Sequence, residues 1–84
     1  MTTDSRKMIL TEISVERDRQ YHLPGSEYDQ TYSINDWIAI ASQYLTRGAS
    51  RKHVKPDAID QRDALIKTAA IILAAVEHLD RKIN

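Results

Sequence analysis

Carboxylates standing on apolar helix stripes are the first residues here with types and spacing suited to chemistry. Glu16 and Gln20 continue the spacing of Ile9 and Ile13 at +4, +3 and +4. Glu77 follows Ile66, Ala70 and Leu73 along one helical ridge; Arg62 extends that ridge backward, and Asp80 lies three residues beyond Glu77. An isolated buried charge is costly, so a carboxylate on such a stripe needs a cation, a hydrogen-bond partner or a metal. The plainer alternative is that each stripe becomes solvated near its end, where charges usually sit. Glu12 with Glu16 and Glu77 with Asp80 are the helical acid pairs able to converge on a hard cation such as Mg²⁺. Asp57, Asp60 and Asp63 suit the positive end of a helix better.

Cations and aromatic rings form two further groups. Residues 47–55 carry Arg47, Arg51, Lys52 and Lys55 and lead into a helix N-terminus. Free N–H groups there favour phosphate, although Asp57 and Asp60 compete for them. Tyr21, Tyr28 and Tyr32 flank or occupy one loop, with Trp37 just behind. Aromatic faces stack on bases of any identity; their plainer role is to cover the end of a core. With two glycines in the chain there is no Gly-rich phosphate loop, and no Ser-His-Asp order stands out.

Three helices must position these groups, over about 4–21, 33–47 and 57–82. Thr3 or Asp4 caps the first, and Pro24 stops it by forcing Leu23 out of the α region. Ser33 caps the second, with Asp36 at capping-box spacing and Tyr32 and Trp37 placed as a hydrophobic staple. Gly48 suits the left-handed position that ends it. In the third, Leu65, Ala69, Ile72, Val76, Leu79 and Ile83 recur at helical spacing and predict its buried seam. Ile66, Ala70, Leu73 and Ala74 widen the apolar surface beyond one face. The expected fold is therefore all-α, a three-helix antiparallel bundle whose surplus apolar face is covered by assembly into a homo-oligomer.

Composition points the same way. A chain of 84 residues forms one domain and is marginal by itself. It has no cysteine and three scattered histidines, so a disulfide or thiolate-zinc staple is not expected. Twelve basic and twelve acidic residues cancel, which argues against a dedicated duplex-DNA binder. No signal peptide or run of membrane-spanning length is read, so the expected location is the cytosol.

The polar residues also carry a family likeness. The segments Glu16-Arg17-Asp18-Arg19-Gln20, Tyr28-Asp29-Gln30, Asn35-Asp36-Trp37-Ile38-Ala39 and Ala69-Ala70-Ile71-Ile72-Leu73-Ala74-Ala75-Val76-Glu77-His78-Leu79-Asp80-Arg81 stand in that order. With Tyr44-Leu45-Thr46-Arg47-Gly48, this pattern resembles a group of small phage and prophage helical proteins over roughly residues 12–81. That group often has two adjacent acids in the loop, where this chain has Asp29 and Gln30. It looks distantly like the all-α nucleoside triphosphate pyrophosphohydrolases of the MazG type, which hold Mg²⁺ with Glu-x-x-Glu and Glu-x-x-Asp. Glu77-His78-Leu79-Asp80 matches the second element; Glu12 and Glu16 stand four apart, where the first needs three.

The resemblance implies a phage protein in the host bacterial cytosol. In overall design the chain is also similar to phage sponges, oligomeric proteins that sequester nucleotide signals of bacterial immunity. The leading expectation is a non-catalytic nucleotide binder of this kind, for a cyclic-nucleotide or ADP-ribose-type signal and with no cofactor. Its ligand site would draw on Glu16, Arg17, Gln20, Tyr28, Asp36, Trp37, Arg47 and Arg51. Arginine forks would meet phosphate. The alternative is a Mg²⁺-dependent pyrophosphohydrolase with Glu12, Glu16, Glu77 and Asp80 as ligands. A second alternative is an inhibitor that binds a host protein through its apolar helix faces.

Overall fold

A computed structural model describes residues 3–25, 31–49 and 57–83. It contains three α-helices: α1 (Thr3–Tyr21), α2 (Ile34–Ala49) and α3 (Ala58–Ile83). Their ends fall within two residues of the sequence-based expectation. None of the described helices is long and apolar enough to cross a membrane.

Local chemistry sets most of the boundaries. After Tyr21 the chain tightens, with the His22 and Leu23 amides donating to the carbonyls of Arg19 and Gln20 at 3.2 Å. Pro24 cannot continue the helix, and Gly25 takes φ 91°, a conformation open to glycine without steric cost. At the start of α2 the capping box is reciprocal. The Ser33 amide donates to Asp36 Oδ2 at 2.9 Å, and the Asp36 amide donates to Ser33 Oγ at 3.2 Å. The Tyr32 and Trp37 rings meet edge to face at 5.7 Å, which completes the staple. Asp57 caps α3, accepting from the Ile59 amide at 2.8 Å through its carboxylate and from the Gln61 amide at 2.9 Å through its carbonyl. Gly48 departs from expectation: α2 runs through it to Ala49, and Gly25 is the glycine with positive φ.

α3 is the central element, with α2 packed along it and α1 resting on another side. Trp37, in the first turns of α2, lies against His78 near the end of α3, with ring centroids 6.2 Å apart. The start of α2 thus meets the end of α3, an antiparallel arrangement. The core is small: Trp37, Ile71, Ala74 and Ala75 are buried, with Tyr32, Ile34, Ile40, Ala41 and Tyr44 partly buried around them.

The buried seam of α3 is not the predicted one. Thr68, Ile71, Ala75 and His78, with Ala70 and Ala74, face inward. Leu65, Ile72, Val76 and Leu79 remain 58, 51, 49 and 39% exposed. The reason is volume. The indole of Trp37 fills the space beside α3, which meets it with Ile71 and the small Ala74 and Ala75. The inward hydroxyl of Thr68 donates to the Ala64 carbonyl at 2.6 Å, so it is not left unsatisfied.

α1 is held differently. Ile9, Ile13, Glu16 and Gln20, the stripe read from the sequence, are half-buried, and no residue of α1 is fully buried. Ion pairs fix it to both ends of the ridge that runs from Arg62 to Glu77. Arg62 donates twice to Glu12, at 2.8 Å each, and Arg17 Nε donates to Glu77 Oε1 at 3.2 Å.

Candidate functional site

Where the end of α1 passes the start of α2, the chain encloses a cleft of about 210 Å³. Arg17 and Gln20 line it from α1, Gly25 from the turn, and Tyr32, Trp37 and Tyr44 from the α2 side. Ile71 and Ala74 of α3 also line it. The capping box places this wall, since it fixes where Tyr32 enters and how Trp37 is turned.

The polar groups at the cleft are ordered by α1. Glu16 is the half-buried carboxylate that the sequence flagged as needing a partner; its side chain is 13% exposed. Arg19 grips it with Nε and Nη2, both at 2.7 Å, and Gln20 Nε2 donates to it at 3.0 Å. Hydrogen bonding from Arg19 holds its carboxyl below the ordinary value of 4.5; partial burial opposes that shift, and the Arg19 charge and the Gln20 bond reinforce it. Gln20 Nε2 also donates to the Lys67 carbonyl at 3.3 Å, which ties the cleft residue to α3. Arg17, with a side chain 15% exposed, lies 5.6 Å over the Tyr21 ring while it pairs with Glu77.

Two buried nitrogens stand out at the contact between α2 and α3. Trp37 Nε1 and His78 Nε2 have no hydrogen-bond partner among the described residues. Buried donors and acceptors are normally paired, so these two are exceptions within the small core.

Three of the eight nominated ligand residues, Arg17, Gln20 and Trp37, therefore line one cleft, and Glu16 braces Gln20 from behind. Arg47 stacks on Tyr44, its guanidinium 4.7 Å from the ring centre, and so neighbours the cleft wall without lining it. Asp36 is outside the cleft and serves the α2 cap. Tyr28 and Arg51, with most of the cationic segment after Arg47, lie outside the described residues. Tyr44 was missed as a site residue. It falls seven residues after Trp37 on the same α2 stripe, and that spacing is the signal that could have found it.

The acids of the Mg²⁺ alternative are distributed among arginines. Glu12 pairs with Arg62, Glu16 with Arg19 and Glu77 with Arg17, while Asp80 is exposed. The Arg62 hydrogen bond also holds the Glu12 carboxyl below 4.5. Among the described residues no three His, Cys, Asp or Glu side chains gather where a metal ion could be held. These carboxylates, as arranged, do not fit a Mg²⁺ centre.

Fold and site together define a small three-helix protein with an aromatic-walled, arginine-flanked cleft. No family model matches the chain, and no curated protein or solved structure matches it significantly.

Proposed function

We propose that this protein is a non-catalytic binder of a small anionic nucleotide, acting as a homo-oligomer in the manner of a phage sponge. The observation that carries the reading is the meeting of Arg17, Gln20 and Trp37, far apart in the chain, at one cleft with two tyrosines. A cleft of about 210 Å³ is smaller than a drug-sized site, typically ~300–1,000 Å³. It suits a single base stacked against Trp37 or a tyrosine, with the phosphates outside, near Arg17 and Arg47. Gln20 Nε2 already donates to Glu16 and to the Lys67 carbonyl, so its amide oxygen is the group suited to read a base edge. The pairing of Glu12, Glu16 and Glu77 with arginines supports sequestration over metal-assisted hydrolysis.

The test is calorimetry of the purified protein with cyclic di- and trinucleotides and cyclic ADP-ribose isomers, followed by mass spectrometry of the denatured complex. Stoichiometric binding with the ligand recovered intact is expected. Recovery of a cleaved product would favour the hydrolase, and silence across the panel would end the nucleotide reading.

A further inference from the structure

Among the described residues, α1 has no share in the core that joins the other two helices. The buried cluster of Trp37, Ile71, Ala74 and Ala75, and the half-buried side chains packed on it, come from α2, α3 and Tyr32. α1 buries no residue fully and rests on α3, with little contact to α2. Its half-buried aliphatic side chains are Ile9 and Ile13. Its polar links to α3 are the Glu12–Arg62 pair, the Arg17–Glu77 pair and the Gln20 bond to the Lys67 carbonyl. Glu12, Arg62 and Glu77 are 46, 54 and 48% exposed, and ion pairs so open to water hold weakly. The cleft is the gap that this arrangement leaves. Arg17 and Gln20 stand on its α1 side, Tyr32 and Tyr44 on its α2 side, and Ile71 and Ala74 of α3 form its floor.

We infer that α1 is a movable wall of this cleft, lifting from α3 as one unit while α2 and α3 stay paired. Lifting breaks the two ion pairs and the Gln20 bond and uncovers Ile9 and Ile13. It leaves the Trp37 cluster whole, since no side chain of α1 belongs to it. An element held by few buried apolar contacts opens at a lower free energy than the global transition. Arg17 and Gln20 leave with α1, so the open and closed states offer different polar groups at the cleft. Solvent then reaches Ala74, 1% exposed on the floor, without unfolding of the core. The motion belongs to the chain itself and does not depend on which ligand the cleft takes.

Hydrogen exchange of the full chain at neutral pH, followed by mass spectrometry over a series of low urea concentrations, tests the wall. Residues 14–21 are expected to show protection at least about tenfold below that of residues 68–78, with a weaker dependence on urea. Equal protection and equal urea dependence in all three helices would overturn the inference. So would fast exchange confined to residues 3–10, which is fraying of a helix end and leaves Arg17 and Gln20 in place. A second readout uses the absence of cysteine from the chain: Ala74→Cys puts a single thiol on the cleft floor. Its reaction with an aromatic disulfide reagent is expected to follow the urea dependence of residues 14–21. A rate that follows global unfolding would contradict a wall that moves separately, and a rate indifferent to urea would mean that the floor is never covered.

Discussion

Asp36 shows how a single residue type can be read for two purposes. Beside Trp37 it belongs to a motif that suggested ligand binding, yet its carboxylate accepts from the Ser33 amide and begins α2. Both readings were open in the sequence, because Ser-x-x-Asp spacing and a polar residue before a tryptophan are compatible with either. Glu16 shows the opposite case: its place on an apolar stripe announced that it needed a partner, and the structure supplies Arg19 and Gln20. The cap is testable by itself. Ser33→Ala removes the acceptor for the Asp36 amide and is expected to cost about 1 kcal/mol. For a domain of this size that lowers Tm by roughly 4–8 °C in a thermal melt. An unchanged melting temperature would show that the box is decorative and that something else orients Trp37.

At the scale of the element, α1 and α3 are stabilised by different physics. α3 buries alanines and Ile71 against Trp37; α1 buries nothing fully and combines half-buried Ile9 and Ile13 with arginine–carboxylate pairs. The pairs of α1 carry a pH dependence of definite sign. Glu12 and Glu16 both titrate below their ordinary 4.5 in the folded chain, Glu12 through its bond to Arg62 and Glu16 through its bond to Arg19. A lowered folded pKa gives stability that is present above the unfolded value and is lost as pH falls through the folded one. On acidification below about 4.5, the amide protons of α1 should therefore lose protection before those of α3. Hydrogen exchange across an acid series checks this, and simultaneous loss in all three helices would mean that the pairs contribute nothing distinct to α1. Helix existence was legible in the sequence because capping residues and periodicity act locally. The face of α3 that turns inward was not, since an all-round apolar helix offers two stripes one residue apart. Which of them packs against Trp37 and α2 is decided only across the tertiary contact.

For the whole molecule, the two sides of the α2–α3 pair differ in chemistry. One side, flanked by α1, holds the cleft; the other carries the apolar groove lined by Ile34, Ile38, Leu45, Ile72, Val76 and Leu79. That apolar surface would be left outside the core was readable from the excess of apolar residues on the third helix. Its location was not, because Leu65, Ile72, Val76 and Leu79 read as the core of the chain and are instead its surface. The cleft was half legible. Gln20 was marked by stripe position, Trp37 by type and Arg17 by the Glu16–Gln20 pattern, while Tyr44 and the turn at Gly25 join them only through folding.

Trp37 is the one tryptophan of the chain and forms a wall of the cleft, so it reports on the site directly. Titrating its emission with the cyclic nucleotide and cyclic ADP-ribose panel, at fixed protein concentration, is the most direct test of the central claim that a base stacks there. A saturable change with at least one nucleotide, weakened at least tenfold in affinity by Gln20→Ala, is expected. A flat response to every nucleotide, or binding heat with no change in Trp37 emission, would contradict it.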